Sequence, residues 1–293
     1  MSMRLPHPTF LAITVLTGWS LVAHAQQPTK RDVTVPDVLE TAGEHLTQYA
    51  QKLGAVVAEE EYTQREPVIP SANRRLLSDV AFVGLDNGQI AVYRDVAALD
   101  AREVRPKEDR LAKLFAAGPT QASQDQAGTW TDEGVRYYLS PNLRTLDIPT
   151  LALEFLRAEN QHQSEFTFDG GIRNQDGAQI ATLRFKTDRN ADVLPTPQGS
   201  TTSGKIWVDV ATGIVRQTEL IVTAKNFNFK TTTKYAHDKG IDLWVPFEMI
   251  QLADVSNAAA GLSNMGAGGQ MGSKQSLEGR ARYSKYRRTT QLP

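Results

Sequence analysis

The sequence predicts an α+β protein built on one antiparallel β-sheet of about eight or nine strands, with about four helices. Three observations lead there. Residues Ser203–Thr233 read as three strand-length runs rich in Val, Ile, Thr and aromatics, joined by short turns such as Thr212-Gly213. No alternation of strands with helices is visible, which argues against a parallel sheet. A stretch with helical spacing, about residues 105–158, separates an early group of strands from a late one. One domain over residues 36–290 is the simplest organisation.

The chain opens with Arg4 as the sole charge before an apolar core from Phe10 to Val22 and the small-residue site Ala23-His24-Ala25. This is the pattern of a cleavable secretory leader over residues 1–25, with cleavage after Ala25. The expected location is therefore the periplasm or the outside of a bacterial cell. Residues 26–35 are polar and expected to be disordered. Pro36 is well placed to open a helix whose stripe is Leu39, Ala42, Leu46, Tyr49 and Leu53, and Gly54 to end it.

Ala55–Glu66, Arg75–Val83 and Gln89–Val96 read as the early strands, the last two joined at Asp86-Asn87-Gly88. Leu111, Leu114 and Phe115 mark a short helix over Pro106–Ala117. Thr120–Leu139 reads as a second helix with Trp130 and Tyr138 as anchors, and Pro149–Leu156 as a third. The late strands run from near Phe166, through Ile180–Lys186 and the three quoted runs, to Asp242–Leu252 and Lys274–Thr290. Pro246 marks an edge, bulge or strand start. The Gly-rich segment 256–273 is expected to be a flexible hairpin loop.

The chain has no cysteine and a formal net charge of −1. Thiol catalysis, Cys-ligated metals and a lipid-acceptor Cys are thereby excluded. The charge balance argues against nucleic acid. The basic cluster Arg280, Arg282, Lys285, Arg287 and Arg288 on the last strand is read as a solvated strand face, or else as a contact for an anionic headgroup or polymer. Any membrane contact is at most peripheral.

No motif places catalytic chemistry. Gly261-Leu262-Ser263-Asn264-Met265-Gly266 is one residue too long for a serine-hydrolase elbow. Asp188, Asn190 and Asp192 match the start of a calcium loop, but Val193 and Gly199 stand where glycine and glutamate are needed. His45, His162 and His237 lack metal-ligand spacing. Glu59-Glu60-Glu61 must point to both faces of a strand, and is read as charged surface. Asp95 with Arg94, and Asp109 with Arg110, are read as ion pairs or surface charges. Neither cofactor nor metal is expected.

Apolar residues crowd the late strands and, in Ile206–Val208 and Leu243–Phe247, fall on both faces. A sheet covered on one side needs only one apolar face. The excess points either to an ordinary core or to a cavity for an acyl chain or other apolar ligand.

Gly204-Lys205-Ile206-Trp207-Val208-Asp209, Thr212-Gly213 and Leu243-Trp244-Val245-Pro246-Phe247-Glu248-Met249 resemble the periplasmic lipoprotein-carrier (LolA/LolB-like) superfamily, in which W-x-D-x-x-T-G and a late x-L-P strand recur. Tyr93-Arg94-Asp95-Val96 and Tyr283-Ser284-x-Tyr286-Arg287-Arg288 are similar to a group of secreted bacterial proteins of that general type. The resemblance implies a curved half-barrel sheet with helices on its concave side, and non-enzymatic binding of lipid or lipoprotein acyl chains. The candidate ligand-binding residues are then Leu111, Leu114, Phe115, Leu151 and Phe155 on the helices, and Trp207, Leu220, Phe229 and Trp244 on the sheet. Two other readings stay open: a scaffold for an envelope protein partner, and an envelope-polymer hydrolase drawing two carboxylates from Glu59–Glu61, Asp95 and Asp109, beside the basic last strand. The sequence leaves the oligomeric state open.

Overall fold

The computed structural model describes residues 32–67, 71–139, 145–187, 191–196, 199–256 and 274–289. The leader, most of the polar segment after it, the Gly-rich stretch 257–273, and Asp188 and Asn190 of the calcium-like pattern lie outside these residues.

Helix α1 (Val35–Leu53) begins one residue before Pro36, so that Val35, expected in the disordered segment, is helical. Thr34 Oγ1 accepts a hydrogen bond from the Asp37 amide, and Asp37 Oδ2 accepts one from the Thr34 amide, so two otherwise unpaired donors are satisfied reciprocally. Its buried stripe includes Val38, Ala42, Leu46, Tyr49 and Leu53. Two glycines let α1 approach the sheet. A Cβ on Gly84 would lie 1.8 Å from the Ala50 carbonyl oxygen, and one on Gly213, at φ +71°, would lie 2.3 Å from that of Thr41.

The strands are β1 (Ala55–Glu66), β2 (Ala72–Gly84), β3 (Ile90–Leu99), β4 (Arg102–Glu103), β5 (Ser164–Phe168) and β6 (Arg173–Gln175). They continue as β7 (Ala178–Thr187), β8 (Thr201–Asp209), β9 (Val215–Ala224), β10 (Phe227–Asp238), β11 (Leu243–Ser256) and β12 (Lys274–Arg288). All the pairings are antiparallel, in the order β4-β3-β2-β1-β12-β11-β10-β9-β8-β7-β5, with β6 beside β7. The sheet is open. The last strand of the chain lies in its middle, where β12 joins the early group to the late one.

The antiparallel sheet stands, but among the described residues it has 12 strands rather than eight or nine. The additional ones include β4 and β6, of two and three residues, every one exposed. They carry no apolar alternation from which a strand could be read. Short exposed strands at or near a sheet edge also discourage edge-to-edge association.

The helices divide between the two faces of the sheet. On β1 and β2, Val56, Ala58, Val80 and Phe82 point into the main core with α1 and the 3₁₀ segment Leu151–Leu156. Ala55, Val57, Ala81 and Val83 point the other way. There they pack against Leu111 and Phe115 of the short helix α2 (Arg110–Leu114) and its cap, and Ala127 of α3 (Gln121–Gly134). Helix α4 (Ala158–Gln161) follows the 3₁₀ segment. We call the α1 side the inner face and the α2–α3 side the outer face.

Candidate functional site

The inner face holds part of the expected set. Leu151 and Phe155 lie in one core with Leu220 and Phe229, and Trp244 packs against its margin. Phe155 stacks on Phe185 with ring centroids 4.4 Å apart. The covering segment is tied down at both ends. Tyr235 Oη donates to the Pro149 carbonyl at 2.9 Å, and Gln161 Nε2 donates to the Leu39 and Leu156 carbonyls at 3.0 and 2.8 Å. The gap at its margin, beside His45, Tyr49, Leu153, Tyr235 and Trp244, is only about 20 Å³. Burial lowers the pKa of His45, with the Lys52 charge adding to the effect.

Leu111, Leu114 and Phe115 lie on the outer face of β1 and β2, away from Phe155 and Phe229. Trp207 is also on the outer face, since its neighbours Ile206 and Val208 are fully buried in the core.

Trp207 and Trp244 do meet, in a groove of about 410 Å³. Phe247, 41% exposed, lines it together with Arg216, Lys234 and His237. Trp207, Gln217 and Lys234 stand directly opposite one another across β8, β9 and β10. The register shifts at Trp207/Val208 and at Lys234/Tyr235, so two irregularities flank the groove. The residues that these shifts leave unpaired, Arg216 on β9 and Phe247 on β11, both line the groove, as bulges re-aim side chains. The Arg216 guanidinium lies 3.6 Å above the Trp244 ring and bonds Asp209 Oδ2 at 3.1 Å, while its buried Nε has no hydrogen-bond partner among the described residues. His237 Nε2 is 2.9 Å from Asp242 Oδ1. The sequence signal for this groove is the presence of apolar residues on both faces at Ile206–Val208 and Leu243–Phe247.

The carboxylates of the early strands are engaged in ion pairs. Glu60 and Arg94 are buried and paired bidentately, Nε to Oε2 at 2.8 Å and Nη2 to Oε1 at 3.0 Å. Asp147 Oδ1 lies 3.7 Å from the same guanidinium. Burial alone would lower the Arg94 pKa, but the facing Glu60 and Asp147 outweigh it, and the group stays charged. Arg94 therefore pairs with Glu60, not with Asp95, because adjacent strand residues point to opposite faces. Asp95 is held instead by Arg105 and Arg110, and Asp109 by Arg287. Glu59 binds Lys107 and Lys285, and Glu61 binds Arg75. No group of three His, Cys, Asp or Glu side chains among the described residues could hold a metal ion.

Asp79 differs. It is buried on the outer face and neither carboxylate oxygen accepts a hydrogen bond among the described residues; the Arg105 guanidinium comes no nearer than 3.9 Å. Burial raises its pKa above the ordinary 3.8, against the pull of Lys107, Arg287 and Arg105. The folded state then binds more protons than the unfolded chain above pH 3.8, so this group costs stability as pH rises through that window. An Asp79→Asn variant should melt higher than the parent at neutral pH. The difference should close as pH falls towards 3.8. Melting curves across pH read this directly, and a variant that melts lower at neutral pH would contradict it.

No protein-family model matches the chain, and no curated protein does. Solved structures similar to it include three that cover most of its length. The first is a domain from Vibrio parahaemolyticus described as outer membrane lipoprotein-sorting, at 12% identity over 87% of this chain and 93% of that one, with a TM-score of 0.40. The second is a LolA superfamily protein from Nitrosomonas europaea, at 10% identity over 89% and 96%, with a TM-score of 0.34. The third is a DUF1329 family protein from Desulfovibrio piger, at 10% identity over 88% and 95%, with a TM-score of 0.40.

Proposed function

We propose that this chain is a non-enzymatic binding protein of the bacterial envelope, exported by residues 1–25, that holds an amphiphile such as a lipid or the acyl end of a lipoprotein. The apolar part of the ligand lies between Trp207, Trp244 and Phe247. Its anionic part lies towards Arg216 and Lys234. The observation that carries this reading is the coincidence, in one 410 Å³ groove, of exposed aromatic surface with cationic side chains. A volume of this order suits a small organic ligand. Aromatic faces and aliphatic chains gain from leaving water together, and a guanidinium beside them fixes the orientation of a negative headgroup. The gap at the margin of the inner face, which Phe155, Leu220 and Phe229 fill, is only about 20 Å³.

Native mass spectrometry tests it, using the chain from Gln26 titrated with lysophosphatidylglycerol. The expected result is a one-to-one adduct. Replacing both Trp207 and Trp244 by Ala should weaken it by at least about ten-fold, since each aromatic contributes on the order of 1.5–3 kcal/mol when buried. An adduct indifferent to both substitutions would place the ligand elsewhere. No adduct at all would turn the reading towards a scaffold for an envelope protein.

A further inference from the structure

Beyond α2 and α3, no described helix packs against the outer face of the sheet. The register places its side chains in rows that cross eight strands. One row runs Arg184, Lys205, Glu219, Thr232, Ile250, Arg280, Thr63, Arg75. The rows on either side contain Lys234, Glu248, Arg282 and Glu61, and Lys230, Leu252, Glu278 and Arg65. The aliphatic side chains at the centre are exposed, Ile250 by 38% and Leu252 by 50%.

The charges on this face do not cancel. Lys230 pairs with Glu219 and Arg65 with Glu278, one for one. Three other carboxylates each serve two cations. Glu248 is shared by Lys234 and Arg280, and Asp169 by Arg184 and Lys205. Glu61 bonds Arg75 and also feels Arg282, its cross-strand neighbour. Each shared carboxylate leaves a surplus of one cation, against which Asp254, also outward on β11, sets one negative charge. The surplus contrasts with a chain whose net charge is −1.

We propose that this uncovered face docks on an anionic lipid bilayer, with Ile250 and Leu252 entering the headgroup layer and the surplus cations meeting lipid phosphates. The surplus is spread over the sheet rather than gathered at one point, which matches a surface charged throughout better than a single ligand. Long Lys and Arg side chains can lay their stems on apolar surface while their charges stay in water, so aliphatic and basic groups interleave without conflict. Juxtamembrane cations and buried apolar area add in such docking. The inference does not depend on the groove being a ligand site.

The test is sedimentation of the chain from Gln26, which keeps the whole described fold, with vesicles of phosphatidylglycerol and phosphatidylethanolamine, and with neutral phosphatidylcholine vesicles. The expected result is co-sedimentation with the anionic vesicles alone, lost as salt shortens the screening length to about 3 Å near 1 M. Neutralising Arg280 and Arg282 to Gln should weaken partition about five-fold for each charge removed, from about 1 kcal/mol per cation. Ile250→Ser with Leu252→Ser should weaken it further, and the melting temperature should hold because these side chains are exposed. The variant lacking Trp207 and Trp244 should still sediment, which separates this surface from the groove. Failure to bind anionic vesicles, or binding that ignores all four outer-face substitutions, overturns the proposal. If the same face instead binds an acidic protein while the vesicles stay free, its occupant is that protein and the bilayer assignment is wrong.

Discussion

An Arg94→Met variant should lose about 3–5 kcal/mol of stability, the range for breaking a buried ion pair from one side. Arg94 is 2% exposed and is the cation shared by two buried carboxylates, Glu60 and Asp147. Without it both buried carboxylates lose the cation that faces them, and the loss of desolvated Coulomb attraction is not returned by water. The converse change, Glu60→Leu, should cost less, because Asp147 remains 3.7 Å from the guanidinium and Gln251 Nε2 still holds Asp147 Oδ1 at 3.0 Å. Urea unfolding at neutral pH reads both losses. Equal losses for the two substitutions would mean that Asp147 is not a working second partner.

That buried cluster shows what the sequence could and could not reveal. Glu59-Glu60-Glu61 is legible as a strand segment with charge on both faces, and the structure sends Glu60 inward and its neighbours outward. What pairs with Glu60 is not legible, because Arg94 arrives from two strands away, and Asp147, which faces the same guanidinium, comes from within the helical insert. Helix α1 is legible to within a residue, since Thr34, Pro36 and Gly54 act locally. The late strands are legible for the same reason, their alternation being a property of a few consecutive residues. The 3₁₀ segment is less so. Leu151, Ala152, Leu153, Phe155 and Leu156 are all buried, so no stripe exists to give its period. The face covered by α2 is invisible to periodicity, which finds the apolar stripe of Leu111 and Phe115 but not the side of the sheet that it meets. The groove depends on register irregularities in β8–β11, and a bulge leaves no signature in composition.

Phe155→Ala should cost about 3–5 kcal/mol, as for other large aromatics removed from a packed interior. Its ring is fully buried and stacks on Phe185, and it sits in the segment that covers the inner face. The same variant decides whether that cover can move. Its anchors, Tyr235 Oη to Pro149 and Gln161 to Leu39 and Leu156, are made by residues other than Phe155 and would survive the change. If they hold, the variant encloses an apolar cavity, and such cavities stay dry and take up small apolar guests. Xenon binding by the variant and not by the parent is therefore the expected result, with a urea m-value unchanged because the surface exposed on unfolding is the same. A variant that binds no xenon and loses protection from amide exchange over residues 149–161 would show that the cover detaches once its aromatic anchor is gone. In that case the inner face, and not the groove at Trp207 and Trp244, becomes the place where an acyl chain could enter. The stack of Phe155 on Phe185 would then be the contact that the ligand displaces.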